Sequence, residues 1–211
     1  LIFFFIASII ISEKIKQKPL KDFKILSTIY LGFFLITFFI VFIATKRFNS
    51  DFHTTNAIKL KQKGNWQYVI KAIDKANSIN FYDIDNTSTP LLWYRGVANF
   101  NLKNYREAFK DFKAAYDVNP NHIHVLNNLA TSYELIGNRE KAKEFYNKAI
   151  NINTTFKESR VNLAALLYNE KEYFAALRTI LKSKVEIYWK RKEQNDSYDL
   201  YLKTIFDAYI K

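Results

Sequence analysis

The chain has 211 residues and a formal net charge of +12, with no Cys and no Met. Without Cys there are no disulfides, no thiolate metal ligands and no Cys nucleophile. The four Gly lie far apart, which excludes a Gly-rich phosphate loop. The positive charge carries little weight as a nucleic-acid signal. Lys outnumbers Arg 25 to 7, and Lys, Asn, Ile, Phe and Tyr share AT-rich codons. Residues 46–211 hold 27 basic and 18 acidic residues, and the two signs interleave, as in EKAKEFYNKAI (140–150). That pattern reads as solvated helix faces.

In chain order, residues 1–12 (LIFFFIASIIIS) are apolar but too short to span a bilayer alone, and read as the end of a transmembrane helix. Leu1 sits inside this run with no basic segment before it, so the chain is expected to be the C-terminal piece of a longer protein. Residues 13–24 form a short basic loop with Lys14, Lys16, Lys18, Lys21 and Lys24, broken at Pro19. Residues 25–45 (ILSTIYLGFFLITFFIVFIAT) are 21 residues without a charge. A helix of that length spans about 30 Å of hydrocarbon. Tyr30 near one end and Lys46-Arg47 at the other suit the two interfaces. Five Lys in the loop face Lys46, Arg47 and Lys59 on the far side. That bias places the loop in the cytoplasm and the rest of the chain outside, in the periplasm, anchored in a bacterial inner membrane.

From there the chain repeats every 34 residues, in blocks 89–122, 123–156 and 157–190. A small residue recurs in the first helix at Gly96, Ala130 and Ala164, and early in the second at Ala108, Ala142 and Ala176. A large apolar residue follows at Phe112, Tyr146 and Ile180, then Ala115, Ala149 and Ser183. Pro120 marks the end of the first block. Each block predicts two antiparallel helices that approach closely at the small residues. No hairpin buries its apolar face alone, so the hairpins must stack.

These blocks resemble the tetratricopeptide-repeat (TPR) family. The resemblance implies an all-α, right-handed superhelical solenoid of helical hairpins, here preceded by transmembrane helix. Departures are clear. Arg95 replaces the family's Leu in block one, and Arg139 replaces the aromatic that opens the second helix as Tyr105 and Tyr173. The Gly between helices survives only as Gly137, and the third block lacks the terminal Pro. A degenerate hairpin fits residues 50–83 through Ala57, Gly64, Trp66 and Ala76, with Val69 in place of the second small residue. The stretch FYDIDNTSTP after it is turn-forming. Residues 196–210 place Tyr198, Tyr201, Leu202, Ile205, Phe206 and Tyr209 on one stripe, which suits a capping helix.

TPR ligands dock on the concave face lined by the first helices, so the resemblance implies a site there for a protein or peptide partner. Carried over, its residues are Trp93, Tyr94, Val97, Phe100 and Asn101 in block one. In block two they are His124, Asn127, Asn128, Thr131 and Glu134. In block three they are Val161, Asn162, Ala165, Tyr168 and Asn169. Amides can bond a peptide backbone and rings can pack its side chains. Trp93 and Phe100 could equally pack against the preceding hairpin. The Lys/Asn/Arg pattern that grips an acidic C-terminus is incomplete.

No catalytic residue is read from the sequence, and no cofactor or metal is expected. His122 and His124 fall at a helix boundary without a carboxylate cluster. Asp83 and Asp85 read as turn and cap residues. Residues 81–130, with the order apolar helix, basic loop, apolar helix, repeat domain, resemble the C-terminal tail of bacterial O-antigen ligase/polymerase-type membrane proteins. That implies an anchored scaffold at the end of a membrane glycosyltransferase whose catalytic loop lies in earlier helices. The alternative is a non-enzymatic TPR membrane protein organising an envelope complex.

Overall fold

The computed structural model describes residues 20–77, 83–188 and 203–208. The chain forms two units, Leu1–Phe48 and Asn49–Lys211. Among the described residues every regular element is a helix, apart from one isolated bridge between Ile84 and Pro90. The helices are α1 (Leu20–Gln62), α2 (Trp66–Asn77), α3 (Leu91–Asn101), α4 (Tyr105–Val118), α5 (Ile123–Leu135), α6 (Arg139–Ile152), α7 (Lys157–Asn169) and α8 (Tyr173–Tyr188). The expected transmembrane end at residues 1–12 lies outside the described residues.

The first unit is the N-terminal part of α1. The expected loop through residue 24 is already helical from Leu20, because LKDFK contains no helix breaker. Likewise nothing in KRFN (46–49) stops a helix, so no break separates the apolar stretch from the hairpin region. From Ser27 to Gln62 this helix is long and apolar enough to cross a membrane, and none of its most apolar stretch is buried. Phe33, Phe34, Phe38 and Phe39 are all more than half exposed. The hydroxyls of Thr37 and Thr45 donate to the carbonyls of Phe33 and Phe42, both at 2.8 Å, so the helix satisfies them itself.

In the second unit, each helix from α2 to α8 packs on its neighbours in the chain, and the end of α1 joins α2 through the cluster of Ala57, Val69 and Ile73. Four hairpins result: the end of α1 with α2, then α3–α4, α5–α6 and α7–α8. Their turns share one construction. The second residue after the first helix takes left-handed φ at Gly64 (70°), Lys103 (63°), Gly137 (81°) and Lys171 (66°). The next residue's N–H then reaches back five positions, as from Asn104 to Asn99, Asn138 to Tyr133 and Glu172 to Leu167. Two of these turns carry Lys, where the Cβ works against that φ. The 34-residue period also recurs at the inter-block caps. Asn119 Oδ1 accepts from the Asn121 N–H, and Asn153 Oδ1 from the Thr155 N–H and hydroxyl.

Two apolar clusters hold the stack. One runs through blocks one to three around Phe112, Leu129, Tyr146, Leu163 and Ile180. The other joins Ala57, Val69, Ile73 and Ala76 to Leu91, Tyr94 and Ala98. Trp93 packs against both. The small-residue positions do what close approach demands. A Cβ on Gly96 would lie 2.6 Å from Phe112 Cε1. Arg95, the departure from the family's Leu, joins α3 to its neighbours instead. Its Nη2 lies 2.6 Å from Asp111 and its Nη1 2.7 Å from Asp74, while Asn99 Nδ2 also donates to Asp111.

At the C-terminal end, residues 203–208 are helical. Ile205 is buried in the large cluster, but Phe206, expected on the same stripe, is 48% exposed. Tyr198, Tyr201, Leu202 and Tyr209 lie outside the described residues.

Candidate functional site

The first helices α3, α5 and α7 carry all fifteen expected partner-binding residues, and the packing divides them into several groups. At the start of α3, Trp93 is half-buried beside an aromatic and cationic group. Lys61 Nζ from the end of α1 lies 4.6 Å above its ring. His124 from block two and His122, the last residue of block one, lie 5.8 and 6.1 Å from it, and His124 meets Phe156 edge-on at 5.1 Å. The indole Nε1 is buried without a hydrogen-bond partner. A buried orphan donor costs on the order of 1–3 kcal/mol.

Tyr94 is a correction. It is 6% exposed, and its hydroxyl donates to Asp85 Oδ2 at 2.7 Å. Burial and that carboxylate both push its phenol well above the usual range. It cannot reach a ligand, because the 83–90 segment covers it. Asp85 organises that segment: its Oδ1 accepts from the Thr87 N–H, the Thr87 hydroxyl and the Thr89 N–H. Burial opposes its charge, but the donors from Thr87, Tyr94 and Thr89 outweigh burial and hold its carboxyl below the usual range.

Val97 and Phe100 pack against the large cluster, and Phe100 meets Tyr105 edge-on at 5.4 Å. Asn101 is exposed, its amide donating back to Val97 O at 2.8 Å. In block two, Asn127 is a seam residue. Its Oδ1 accepts from Ser159 Oγ at 2.9 Å and from Asn162 Nδ2 at 3.1 Å. Thr131 donates to Asn127 O and pairs with the Tyr146 hydroxyl, which in turn donates to Glu134. Asn127, Asn162, Thr131 and Glu134 therefore spend polar atoms on joining helices. Asn128 differs: its Oδ1 takes the Asn127 amide at 3.4 Å, while its own N–H₂ donates to no described residue. Val161 and Ala165 are half-buried, Tyr168 packs on Tyr173 at 5.3 Å, and Asn169 is exposed.

Sequence reading missed Lys61, His122 and Phe156. His122 and Phe156 are 34 residues apart, each the residue before a first helix, so the period carried the signal. His122 Nδ1 accepts the Val125 N–H, which leaves the proton on Nε2 to face the Thr89 hydroxyl at 3.2 Å. Burial lowers the pKa of both His122 and His124, and of Lys61. No carboxylate among the described residues pairs with Lys61.

A family description, tetratricopeptide repeat, matches residues 88–155, which takes in the first two blocks almost entirely. No curated protein matches the chain. Among solved structures, the crystal structure of MamA is similar with 20% identity and a TM-score of 0.59, covering 69% of this chain and 82% of that one. A tetratricopeptide repeat protein from Parabacteroides merdae gives 19% identity and a TM-score of 0.59, over 77% and 62%. The first TPR of Spaghetti (RPAP3), bound to an HSP90 peptide, gives 18% and 0.52, over 61% and 98%. Hairpin geometry, repeat period and these likenesses agree: the chain carries a tetratricopeptide-repeat domain, an all-helical solenoid of the kind that serves as a protein-interaction scaffold.

Proposed function

We propose that this protein is a membrane-anchored scaffold whose first-helix face binds an extended peptide of a protein partner. The observation that carries the binding reading is the group at Trp93. A buried indole N–H without a partner sits beside Lys61 and His124, and the Asn128 N–H₂, which donates to no described residue, lies further along the same helices. A peptide carbonyl or carboxylate can pair with Lys61 and with the Asn128 N–H₂ while its side chains pack on the half-buried Trp93 ring. The first TPR of Spaghetti, solved bound to an HSP90 peptide, supports a peptide as the ligand. Tyr94 takes no part. A photo-reactive residue at Thr131 or Ala165 should crosslink a partner in cells, whereas one at exposed Lys113 on α4 should not. Adducts from Lys113 alone would refute docking on the first helices.

The anchor reading rests on the exposed apolar face of α1. It places residues 25–45 in a bacterial inner membrane with the repeat domain in the periplasm, since Lys dominates the loop before the span. The protein should stay in the membrane pellet through alkaline carbonate extraction. A phosphatase fused after residue 60 should be active; activity of a cytoplasmic reporter there would reverse the orientation.

The order of parts further supports a place at the C-terminal end of an O-antigen ligase/polymerase-like membrane protein, with catalysis in earlier helices. Reading the gene upstream of Leu1 tests this. A series of further apolar helices with a large periplasmic loop supports it. A start codon immediately upstream leaves a non-enzymatic repeat protein organising an envelope complex.

A further inference from the structure

A second site lies away from the first-helix face. Helices α6, α7 and α8 line an open cavity of about 490 Å³. That is the size of a small-molecule site. Three cationic side chains line it, Arg160, Arg178 and Lys182, together with the amides of Asn147 and Asn151, and no carboxylate among the described residues does. Its apolar wall includes Leu163 and the largely exposed ring of Phe174.

Arg160 makes this cavity unusual. It is only 6% exposed, and its Nε and Nη2 both donate to one backbone carbonyl, Thr154 O, at 2.9 and 2.7 Å. No carboxylate among the described residues pairs with it. A guanidinium does not shed its proton, and a neutral carbonyl cannot offset a buried charge. The repeat shows that the fold does not need Arg there. The same position is Leu92 in block one and Leu126, fully buried, in block two. Block three has exchanged an apolar packing residue for a buried cation and set two more cations beside it.

We propose that this cavity binds a dianionic oxyanion carried on an apolar body, such as an aromatic phosphate monoester. Three cations match a dianion better than a single carboxylate. The guanidinium fork suits a phosphate's oxygens. Leu163 and Phe174 take the apolar part.

The test uses the detergent-solubilised full chain, calorimetric titration at constant ionic strength, and phenyl phosphate, inorganic phosphate, benzoate and phenol as probes. Phenyl phosphate should bind saturably with Kd below about 1 mM. Inorganic phosphate and benzoate should each bind at least about tenfold more weakly, one for want of the ring and the other of the second charge. Phenol should not bind. Arg160→Leu, which restores the residue type of the other blocks, should abolish binding. Arg178→Gln and Lys182→Gln change exposed side chains, fold independently of that question, and should each weaken it several-fold. Three results would overturn the proposal: no saturable binding of phenyl phosphate, undiminished binding by the Gln variants or by folded Arg160→Leu, or benzoate binding as tightly as phenyl phosphate.

Discussion

Replacing Gly96 by Ala probes how the first hairpin closes. The new Cβ would stand 2.6 and 2.7 Å from two ring carbons of Phe112 and 3.2 Å from Asp111 Cβ. Carbon atoms meet comfortably at about 3.5–4.0 Å, so the overlap with the ring is about 1 Å. Phe112 is fully buried. Asp111 is held by Arg95 and Asn99. Overpacking of this kind costs about 1–3 kcal/mol, and the overlap here belongs at the top of that range. Ala recovers about 1 kcal/mol of helix propensity over Gly. The net expectation is a loss of about 2 kcal/mol, concentrated in α3 and α4. Repeat arrays open block by block, so hydrogen exchange resolved by helix is the right assay. Amides of α3 and α4 should exchange about 30-fold faster, with smaller changes in α7 and α8. Phe112→Leu in the same chain should relieve the clash, so the double variant should be more stable than the sum of the singles by about 1 kcal/mol. An Ala variant as stable as the parent, or a strictly additive double, would refute the argument.

The two Lys residues held at left-handed φ are destabilised relative to Gly, so Lys103→Gly and Lys171→Gly should each raise the urea midpoint, by about 1 kcal/mol of stability. Gly137→Ala should lower it by a similar amount, about 1 kcal/mol. Asp85→Asn should cost about 2 kcal/mol at neutral pH by weakening the bonds that pin the 83–90 segment over Tyr94. Its folded pKa is depressed, so its stabilisation is present above the ordinary carboxylate value of about 4 and is lost as pH falls through the lower folded value. The parent's urea midpoint should fall with acid more steeply than that of Asp85→Asn; parallel curves would contradict this. Arg95→Leu restores the family residue yet strands Asp111, whose side chain is 5% exposed, and should cost about 3 kcal/mol in the same urea assay.

Much of the fold was legible because close packing of helix pairs leaves a direct mark on residue size. Gly96, Ala130 and Ala164 mark one contact, and Ala108, Ala142 and Ala176 another. The turns were legible only in part. Gly137 announces its left-handed φ, but Lys103 and Lys171 adopt the same geometry without Gly because the stacked helices on either side impose it. The site was less legible still. Tyr94, Asn128 and Asn162 share one repeat position, yet each has a different fate. Tyr94 is buried against Asp85, Asn162 bonds across the seam to Asn127, and only Asn128 keeps an N–H₂ that donates to no described residue. Position in a repeat says which face a residue occupies; it does not say what arrives opposite.

Helix length, side-chain size and spacing are local properties, so the charge-free apolar stretch, the 34-residue period and hence a stack of helical hairpins follow from the order of residues. Tertiary structure alone decided that Lys61 lies over Trp93, that Asp85 closes over Tyr94, and that Arg160 lines a cavity with Arg178 and Lys182. These partners are up to 32 residues apart, and only helices packed in register bring them within reach.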